Sequence, residues 1–135
     1  MSRPTEKSER SMSVDIVVAQ PVDESVQSKL EDHGRVFVNP GPQPLSRNDL
    51  SAQCREASAL MAFMTERLDD AFLAECPNLQ IVAGALKGFD NIDVDACSNR
   101  GVAVSIVPDL LTQPTAELAL GLMIAVARNI LPGDR

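Results

Sequence analysis

A single lysine follows the most continuous apolar segment of the chain, where it is well placed to bind an anion. Residues 79–85 are mostly apolar, which is typical of a parallel strand covered on both faces. Gly84 and Gly88 flank the end of this predicted strand, where a ligand could approach the backbone closely. Ligands of open α/β sheets bind beyond the carboxyl ends of the strands, so Lys87 is a candidate anion anchor. Such a lysine is also commonly a solvated surface charge, and position alone leaves both interpretations open.

Strands and helices alternate along the chain, and this alternation predicts the fold. The predicted strands are short runs of apolar or β-branched residues, and they cover residues 13–19, 35–39, 59–64, 79–85 and 102–107. The predicted helices cover residues 23–33, 70–76, 94–100 and 116–131, and a further helix opens at Ser46. Such a pattern predicts an α/β fold, in which a five-stranded parallel sheet has flanking helices on both faces.

The chain divides into three predicted segments. Residues 1–12 are polar and mixed in charge, and we expect a disordered tail. Residues 13–112 contain the alternating strands and helices and form one predicted domain. Residues 113–131 form the last helix, which Pro114 and Thr115 are predicted to start because proline is favoured in a first helical turn.

Two kinds of local signal mark the ends of the predicted helices. Ser46 and Asp69 are candidate N-caps, since their side-chain oxygens can accept from the first free amides of a helix. Gly101 follows the helix of residues 94–100 and is predicted to adopt the left-handed conformation there. Glu117 is expected in the first turn of the last helix, where the helix dipole favours an acid.

The last predicted helix is apolar nearly all round. Ten apolar residues lie between Ala116 and Ala127, and a helix of this kind is normally buried on every side. One small sheet cannot cover it completely, so we expect more of this chain or another subunit to pack against it. The segment is too short, and too polar at its ends, to indicate a membrane span.

Composition argues against several classes of function. The chain has 135 residues and a net charge of −7, whereas a general nucleic-acid binder would have a basic face. Cys54, Cys76 and Cys97 lack the spacing of a metal site, and they are expected to be small apolar packing residues. The only histidine, His33, is predicted to lie on the surface. Thiols without metal spacing fit reduced cysteines in the cytoplasm.

Two motifs resemble a known family. The turn ALKGFDN at residues 85–91 and the sequence PTAE at residues 114–117 resemble the D-isomer-specific 2-hydroxyacid dehydrogenases, and most closely the phosphonate (phosphite) dehydrogenases. The resemblance implies that residues 13–112 are a flavodoxin-like substrate domain. It also implies that residues 113–131 are the helix that links this domain to a Rossmann cofactor domain and forms much of a homodimer interface. Asp90 is expected to shape the turn together with Asn91.

The resemblance also assigns roles to particular residues. Lys87 matches a lysine that anchors the substrate anion, and the backbone amides around it would complete a cradle. Met64 matches a methionine that lines the pocket, although a methionine at a strand end is equally typical of core packing. Thr115 matches a threonine close to the nicotinamide, although it is also a good residue for starting a helix. The residues placed at the substrate are Met64, Leu86, Lys87, Gly88 and Leu111.

The implied activity is hydride transfer from a small anionic substrate, phosphite or a 2-hydroxy acid, to NAD. The dinucleotide fingerprint and the family's catalytic Arg, Glu and His have no match here, so this fragment alone is expected to be inactive. The choice between the two substrates, and between NAD and NADP, stays open. The alternative is a non-catalytic flavodoxin-like dimerisation module or a truncated gene product, which the downstream sequence would distinguish. A receiver domain is disfavoured, because no acidic cluster follows the first strand.

Overall fold

The computed structural model describes residues 15–130 and contains the predicted sheet. Its five strands are β1 Ile16–Val18, β2 Val36–Val38, β3 Ala59–Ala62, β4 Ile81–Gly84 and β5 Ala103–Ser105. All neighbouring strands are parallel and the spatial order is β2-β1-β3-β4-β5. The prediction of a five-stranded parallel α/β fold is therefore confirmed. The tail predicted for residues 1–12 lies outside the described residues.

The strands are shorter than the apolar runs that predict them. β3 ends at Ala62 rather than at Met64, because the N–H of Phe63 donates to the Glu66 side chain instead of continuing the ladder. β5 likewise holds three residues of the predicted run at residues 102–107. The apolar residues beyond the strand ends lie in loops at the carboxyl edge of the sheet, so hydrophobicity alone overestimates the length of the strands.

Side-chain caps set the start of the first four helices. The five helices are α1 Glu24–Glu31, α2 Arg47–Cys54, α3 Asp70–Glu75, α4 Val94–Asn99 and α5 Thr112–Ala127. Ser46 accepts from the N–H of Asp49, and Asp69 accepts from the N–H of Phe72, so both predicted caps are confirmed. Gly101 has a φ of 70°, which confirms the predicted left-handed position.

The core lies between the central strands and the helices of residues 47–99. Val17, Leu60 and Val82 of β1, β3 and β4 are fully buried, and Phe72 of α3 packs into the same cluster. Three free cysteines, Cys54, Cys76 and Cys97, are also buried there, which confirms their packing role. Among residues 15–130, no group of His, Cys, Asp and Glu side chains could hold a metal ion. His33 is exposed, as predicted.

The last helix differs from its prediction at both ends. α5 begins at Thr112, so Pro114 is its third residue. The first four backbone N–H groups of a helix have no acceptor within it, so a proline without an N–H removes no hydrogen bond at this position. Glu117 is therefore beyond the first turn, and its carboxylate accepts from Nε2 of Gln113 at 2.8 Å instead of lying at the helix start. The helix ends at Ala127, short of the predicted residue 131, which lies outside the described range.

None of the residues of α5 is buried by residues 15–130. The cover expected for its apolar surface is thus not supplied by the part of the chain that the structure describes. Among the helices described, α5 included, none combines the length and the apolar character needed to cross a membrane.

Candidate active site

The loops that follow the strands meet at one edge of the sheet, because all five strands are parallel. β3 and β4 are neighbours, and Ala62 at the end of β3 pairs with Gly84 at the end of β4. The loop of residues 63–69, here called the β3 loop, carries Met64. The loop of residues 85–93, here called the β4 loop, carries Lys87. The topology therefore brings these two predicted site residues onto adjacent loops at the edge where ligands of open α/β sheets bind.

Glycine at the end of β4 allows a close approach of β5. A Cβ added to Gly84 would lie 3.2 Å from the carbonyl oxygen of Ser105 and 3.3 Å from the Leu86 side chain. Gly88, four residues later, has more room, since an added Cβ would be 3.9 Å from the Asp90 carboxylate. A side chain at position 84 would therefore be tightly packed against β5, whereas position 88 has room for one.

The β4 loop is fixed at its base and open at its tip. Leu86 is only 4% exposed, and its carbonyl accepts from the N–H of Val107 at 2.9 Å. Within residues 15–130, the N–H groups of Leu86, Lys87 and Gly88 donate to no protein acceptor. Lys87 and Gly88 are exposed. The loop therefore presents unpaired backbone donors beside a lysine, as an anion cradle requires.

Lys87 is held by a hydroxyl rather than by a carboxylate. Its Nζ donates to Oγ1 of Thr112, the first residue of α5, at 2.5 Å. Among the described residues, the acids in ion pairs are Asp15, Asp69 and Asp70, and none of them pairs with Lys87. The lysine charge is consequently uncompensated at the carboxyl edge, and its position is set by the start of the last helix.

The remaining predicted site residues are exposed around this lysine. Met64 is 81% exposed and lies in the β3 loop rather than in the core, which removes the core-packing interpretation. Leu111 precedes α5 and is 51% exposed. Thr115 is exposed on the first turn of α5, and its N–H donates to the carbonyl of Leu111 at 3.2 Å. The hydrogen bond between Lys87 and Thr112 links these helix residues to the β4 loop.

Sequence reasoning missed one acid of this region. Glu66 lies in the β3 loop, is 5% exposed, and accepts from the N–H of Phe63 at 2.6 Å. Its partners include Gln20, which is distant in sequence, so no local pattern would have identified it. Asn91 joins the two loops, because its Nδ2 donates to the carbonyls of Phe63 and Glu66 at 2.8 and 2.7 Å. The Asn91 side chain thus fixes the β4 loop to the β3 loop, in addition to the role in its own turn that was expected of it.

Two small cavities lie beside the loops, and neither is lined by Lys87. One of about 150 Å³ lies against Leu50 and Phe72, behind the β3 loop. The other, of about 250 Å³, lies between Asp69 and Asp90. Lys87 instead faces open solvent next to α5. An enclosed pocket at this lysine would need a further surface above the carboxyl edge.

Residues 15–130 provide little of a dinucleotide site. They contain no Gly-x-Gly-x-x-Gly sequence, so no glycine-rich turn is available to bind a pyrophosphate. Thr115 is the one residue here that was predicted to lie near a nicotinamide, and its exposure at the carboxyl edge is compatible with that contact.

The family follows from comparison with known sequences. The family model described as "D-isomer specific 2-hydroxyacid dehydrogenase, catalytic domain" matches residues 16–128, and the chain belongs to this family. A glyoxylate reductase of Pyrococcus horikoshii is 35% identical over 124 residues, which cover 92% of this chain and 37% of that protein. A glyoxylate reductase of Aeropyrum pernix is 40% identical over 92 residues, covering 68% of this chain and 28% of the relative.

Solved structures agree on the fold. The TT0316 protein of Thermus thermophilus has a TM-score of 0.82 at 28% identity, and the match covers 90% of this chain and 39% of that one. The NAD⁺-bound 3-phosphoglycerate dehydrogenase of Entamoeba histolytica has a TM-score of 0.69 at 25% identity, with 84% and 39% coverage. The chain spans a little over a third of the first curated relatives it matches, at 37% of each.

Proposed function

We propose that this chain is the substrate-binding part of an NAD-dependent oxidoreductase that acts on a small anion, with phosphite as the first candidate. The observation that carries the proposal is Lys87, an exposed lysine without an acidic partner among residues 15–130, at the carboxyl edge of a parallel sheet. Membership of a dehydrogenase family supports the reaction class. The NAD⁺ bound to a related dehydrogenase supports the cofactor.

The residues of this chain would bind and orient the substrate. The Lys87 ammonium would donate a charge-assisted hydrogen bond to an anionic oxygen, and the N–H groups of Lys87 and Gly88 would add two more donors. Met64 would cover the anion from the neighbouring loop and exclude water. The bound cofactor would supply the redox chemistry, as NAD⁺ taking a hydride from phosphite or a 2-hydroxy acid, or as NADH giving one to a 2-oxo acid, and Thr115 would lie beside its nicotinamide. We expect residues 1–135 by themselves to show no turnover, since the described residues hold no dinucleotide fingerprint.

Phosphite and a 2-oxo or 2-hydroxy acid make different demands on this site. Phosphite is a compact dianion, so a fixed lysine charge at the tip of the β4 loop favours it. The second candidate, glyoxylate, is supported by the names of the relatives that are 32–40% identical to this chain. Both anions would use Lys87, and a direct comparison of their affinities decides between them.

Two further proposals concern the state of the protein. We propose a homodimer that buries α5, because the apolar residues of this helix are exposed in a single chain. We also propose a cytoplasmic location, since Cys54, Cys76 and Cys97 are free thiols rather than disulfides.

The test is a titration of the 135-residue chain, followed by NMR, with sodium phosphite and separately with sodium glyoxylate. Lys87→Ala should weaken binding of the preferred anion by about ten- to 150-fold, since a hydrogen bond to a charged group contributes about 1.5–3 kcal/mol. Lys87→Arg should recover part of the loss, because the charge returns with a different shape. Lys29→Ala on α1 is the matched control, as this exposed lysine lies away from the carboxyl edge.

The same titration can contradict the proposal. If neither anion binds the wild-type chain, or if Lys87→Ala and Lys29→Ala behave alike, Lys87 is a solvated surface lysine. The non-catalytic dimerisation module would then be the better explanation. Tighter binding of glyoxylate than of phosphite, with the same dependence on Lys87, would replace the first substrate candidate by the second.

A further inference from the structure

Glu66 is the one buried acid among residues 15–130. It is 5% exposed, and within the described residues no cation lies within ion-pair distance of its carboxylate. Burying an unpaired carboxylate is unfavourable unless hydrogen bonds replace its hydration. Burial of Glu66 in a loop therefore carries an unfavourable free energy of desolvation. Its hydrogen bonds offset this free energy and indicate its structural role.

Three donors surround the Glu66 carboxylate. The N–H of Phe63 donates to Oε2 at 2.6 Å. The hydroxyl of Thr65 donates to Oε1 at 2.6 Å, and Nε2 of Gln20 donates to the same oxygen at 2.9 Å. Gln20 follows β1, and its Nε2 also lies 2.7 Å from the Thr65 hydroxyl. The carboxylate thus joins two residues of the β3 loop, Phe63 and Thr65, to Gln20 in the segment after β1.

The opposite side of the same loop is attached to the β4 loop. The carbonyls of Phe63 and Glu66 accept from Nδ2 of Asn91 at 2.8 and 2.7 Å. The N–H of Leu68 donates to the carbonyl of Asn91 at 2.9 Å. The residues before and after Met64 are consequently bonded on both sides, while the Met64 side chain itself is 81% exposed. A hydrogen-bonded frame therefore holds the backbone from which the exposed, flexible Met64 side chain extends at the carboxyl edge.

We propose that Glu66 is a positioning residue, which holds the β3 loop so that Met64 covers an anion bound at Lys87. The inference rests on the proposed function, because it takes Lys87 as the anion anchor. Glu66 itself touches no substrate in this assignment. It acts by fixing the N–H of Phe63, and through it the backbone on which Met64 is placed next to the β4 loop.

The test uses two variants of Glu66 in the 135-residue chain. Glu66→Met keeps the length of the side chain but accepts no hydrogen bond, so the N–H of Phe63 loses its partner. Glu66→Gln keeps one acceptor oxygen for Phe63, and its amide can donate to the Thr65 hydroxyl. The measurements are the amide hydrogen-exchange rate of Phe63 and the dissociation constant for phosphite, with glyoxylate used instead if it is the anion that the wild type binds.

A second buried polar side chain provides the matched control. Asn39 is 3% exposed, and its Nδ2 donates to the carbonyls of Ala19 and Gln43 at 3.1 and 2.8 Å. It holds the loop after β2, which carries no predicted site residue. Asn39→Leu removes hydrogen bonds at the same edge of the sheet but none that Glu66, Phe63 or Asn91 makes, so it separates a positioning role from general destabilisation.

The expected result is a selective loss. Glu66→Met should raise the amide exchange rate of Phe63 by about three- to tenfold and raise the dissociation constant of the anion by the same factor. This is the range expected for the loss of one hydrogen bond. Glu66→Gln should restore both to within about twofold, and Asn39→Leu should change neither. If Glu66→Met fails to fold, Gln20→Leu removes the hydrogen-bond partner that follows β1 and should produce the same two changes at smaller size.

Contrary outcomes separate this inference from the proposed function. A wild-type chain that binds neither anion overturns the proposed function and this inference with it. A wild-type chain that binds an anion, with unchanged affinity in Glu66→Met and in Gln20→Leu, overturns the positioning role alone. Equal losses in Glu66→Met and Asn39→Leu would also overturn it, because the effect would then follow overall stability.

Discussion

The strands and helices of residues 16–105, here called the body of the domain, and the last helix α5 both contain many apolar residues, yet they differ in how far those residues are buried. Leu60 and Val82 of the central strands are fully buried. In α5, by contrast, Leu120 is 57% exposed and Val126 is 80% exposed, and no residue of the helix is buried. Helix α1 is also unburied, but its sequence is polar. The difference shows that the strands and helices before α5 cover one another's apolar surfaces, whereas the described residues leave the apolar surface of α5 uncovered.

The largest effect is expected from a cavity in the body. Leu60→Ala removes a fully buried side chain from the centre of β3 and should lower the free energy of unfolding by about 2–5 kcal/mol. Leu120→Ala removes a side chain of the same type from the exposed surface of α5 and should cost less than about 0.5 kcal/mol in dilute solution. Urea denaturation at submicromolar protein measures both.

Similar losses for the two leucine variants would contradict the comparison. A large loss for Leu120→Ala would show that α5 is covered even in the dilute chain. A small loss for Leu60→Ala would show that the core repacks around the missing side chain.

Self-association tests the other half of the comparison. The chain should form dimers or larger species at about tens of micromolar, because a large exposed apolar surface favours pairing. Leu122→Asp combined with Val126→Asp should abolish this association, since each places a charge on the exposed face of α5. Ser28→Asp on the unburied helix α1 is the control and should leave it unchanged. Sedimentation velocity that finds a clean wild-type monomer would refute the role of α5.

The parts of the fold that could be predicted are those governed by local pattern. The alternating apolar runs correctly indicated five parallel strands, and the caps at Ser46 and Asp69 follow from side chains that bond amides three residues away. The predicted start of α5 was wrong, because a proline is tolerated at each position of the first helical turn. Pro114 therefore does not show which residue of that turn it is. A local signal is thus reliable only where its geometry permits a single register.

The candidate site divides in the same way. Lys87 could be found because a glycine-flanked lysine at a strand end is visible in the sequence. Glu66 could not, because its carboxylate is held by Gln20, 46 positions earlier, and its backbone by Asn91, 25 positions later. The link between Lys87 and Thr112 is also long in sequence, at 25 positions. Contacts of this kind appear only once the fold has brought the loops together.

The hydrogen bond between Lys87 and Thr112 joins the two regions, and its removal should have a moderate effect. Thr112→Val keeps the shape of the side chain but removes the hydroxyl that accepts from Lys87 Nζ. The lysine would then lose its fixed position and would have to be ordered by the anion, so we expect binding to weaken by about two- to fivefold. Thr112→Ser should bind normally.

Isothermal titration of the anion preferred by the wild-type chain measures this effect. Equal affinities for Thr112→Val and Thr112→Ser would show that the start of α5 does not position the lysine. Stronger binding by Thr112→Val would show that the hydroxyl competes with the anion for Lys87.

The smallest expected effect is a pH dependence confined to the body. The Arg47 guanidinium, followed by the N–H of Phe72, holds the pKa of Asp69 below its usual value. A carboxyl with a lowered folded-state pKa stabilises the fold above its ordinary pKa of about 4, and the stabilisation is lost as the pH falls through the lowered value. Asp69→Asn keeps an N-cap but removes the charge, so it should be less stable than wild type at about pH 6, and the difference should shrink as the pH is lowered towards about 2. Glu117→Gln on α5 is the control, since within residues 15–130 no guanidinium pairs with this carboxylate. Urea midpoints for the three proteins at both pH values decide the matter: a gap between wild type and Asp69→Asn that persists at the lower pH would mean that the loss comes from the cap geometry and not from the charge.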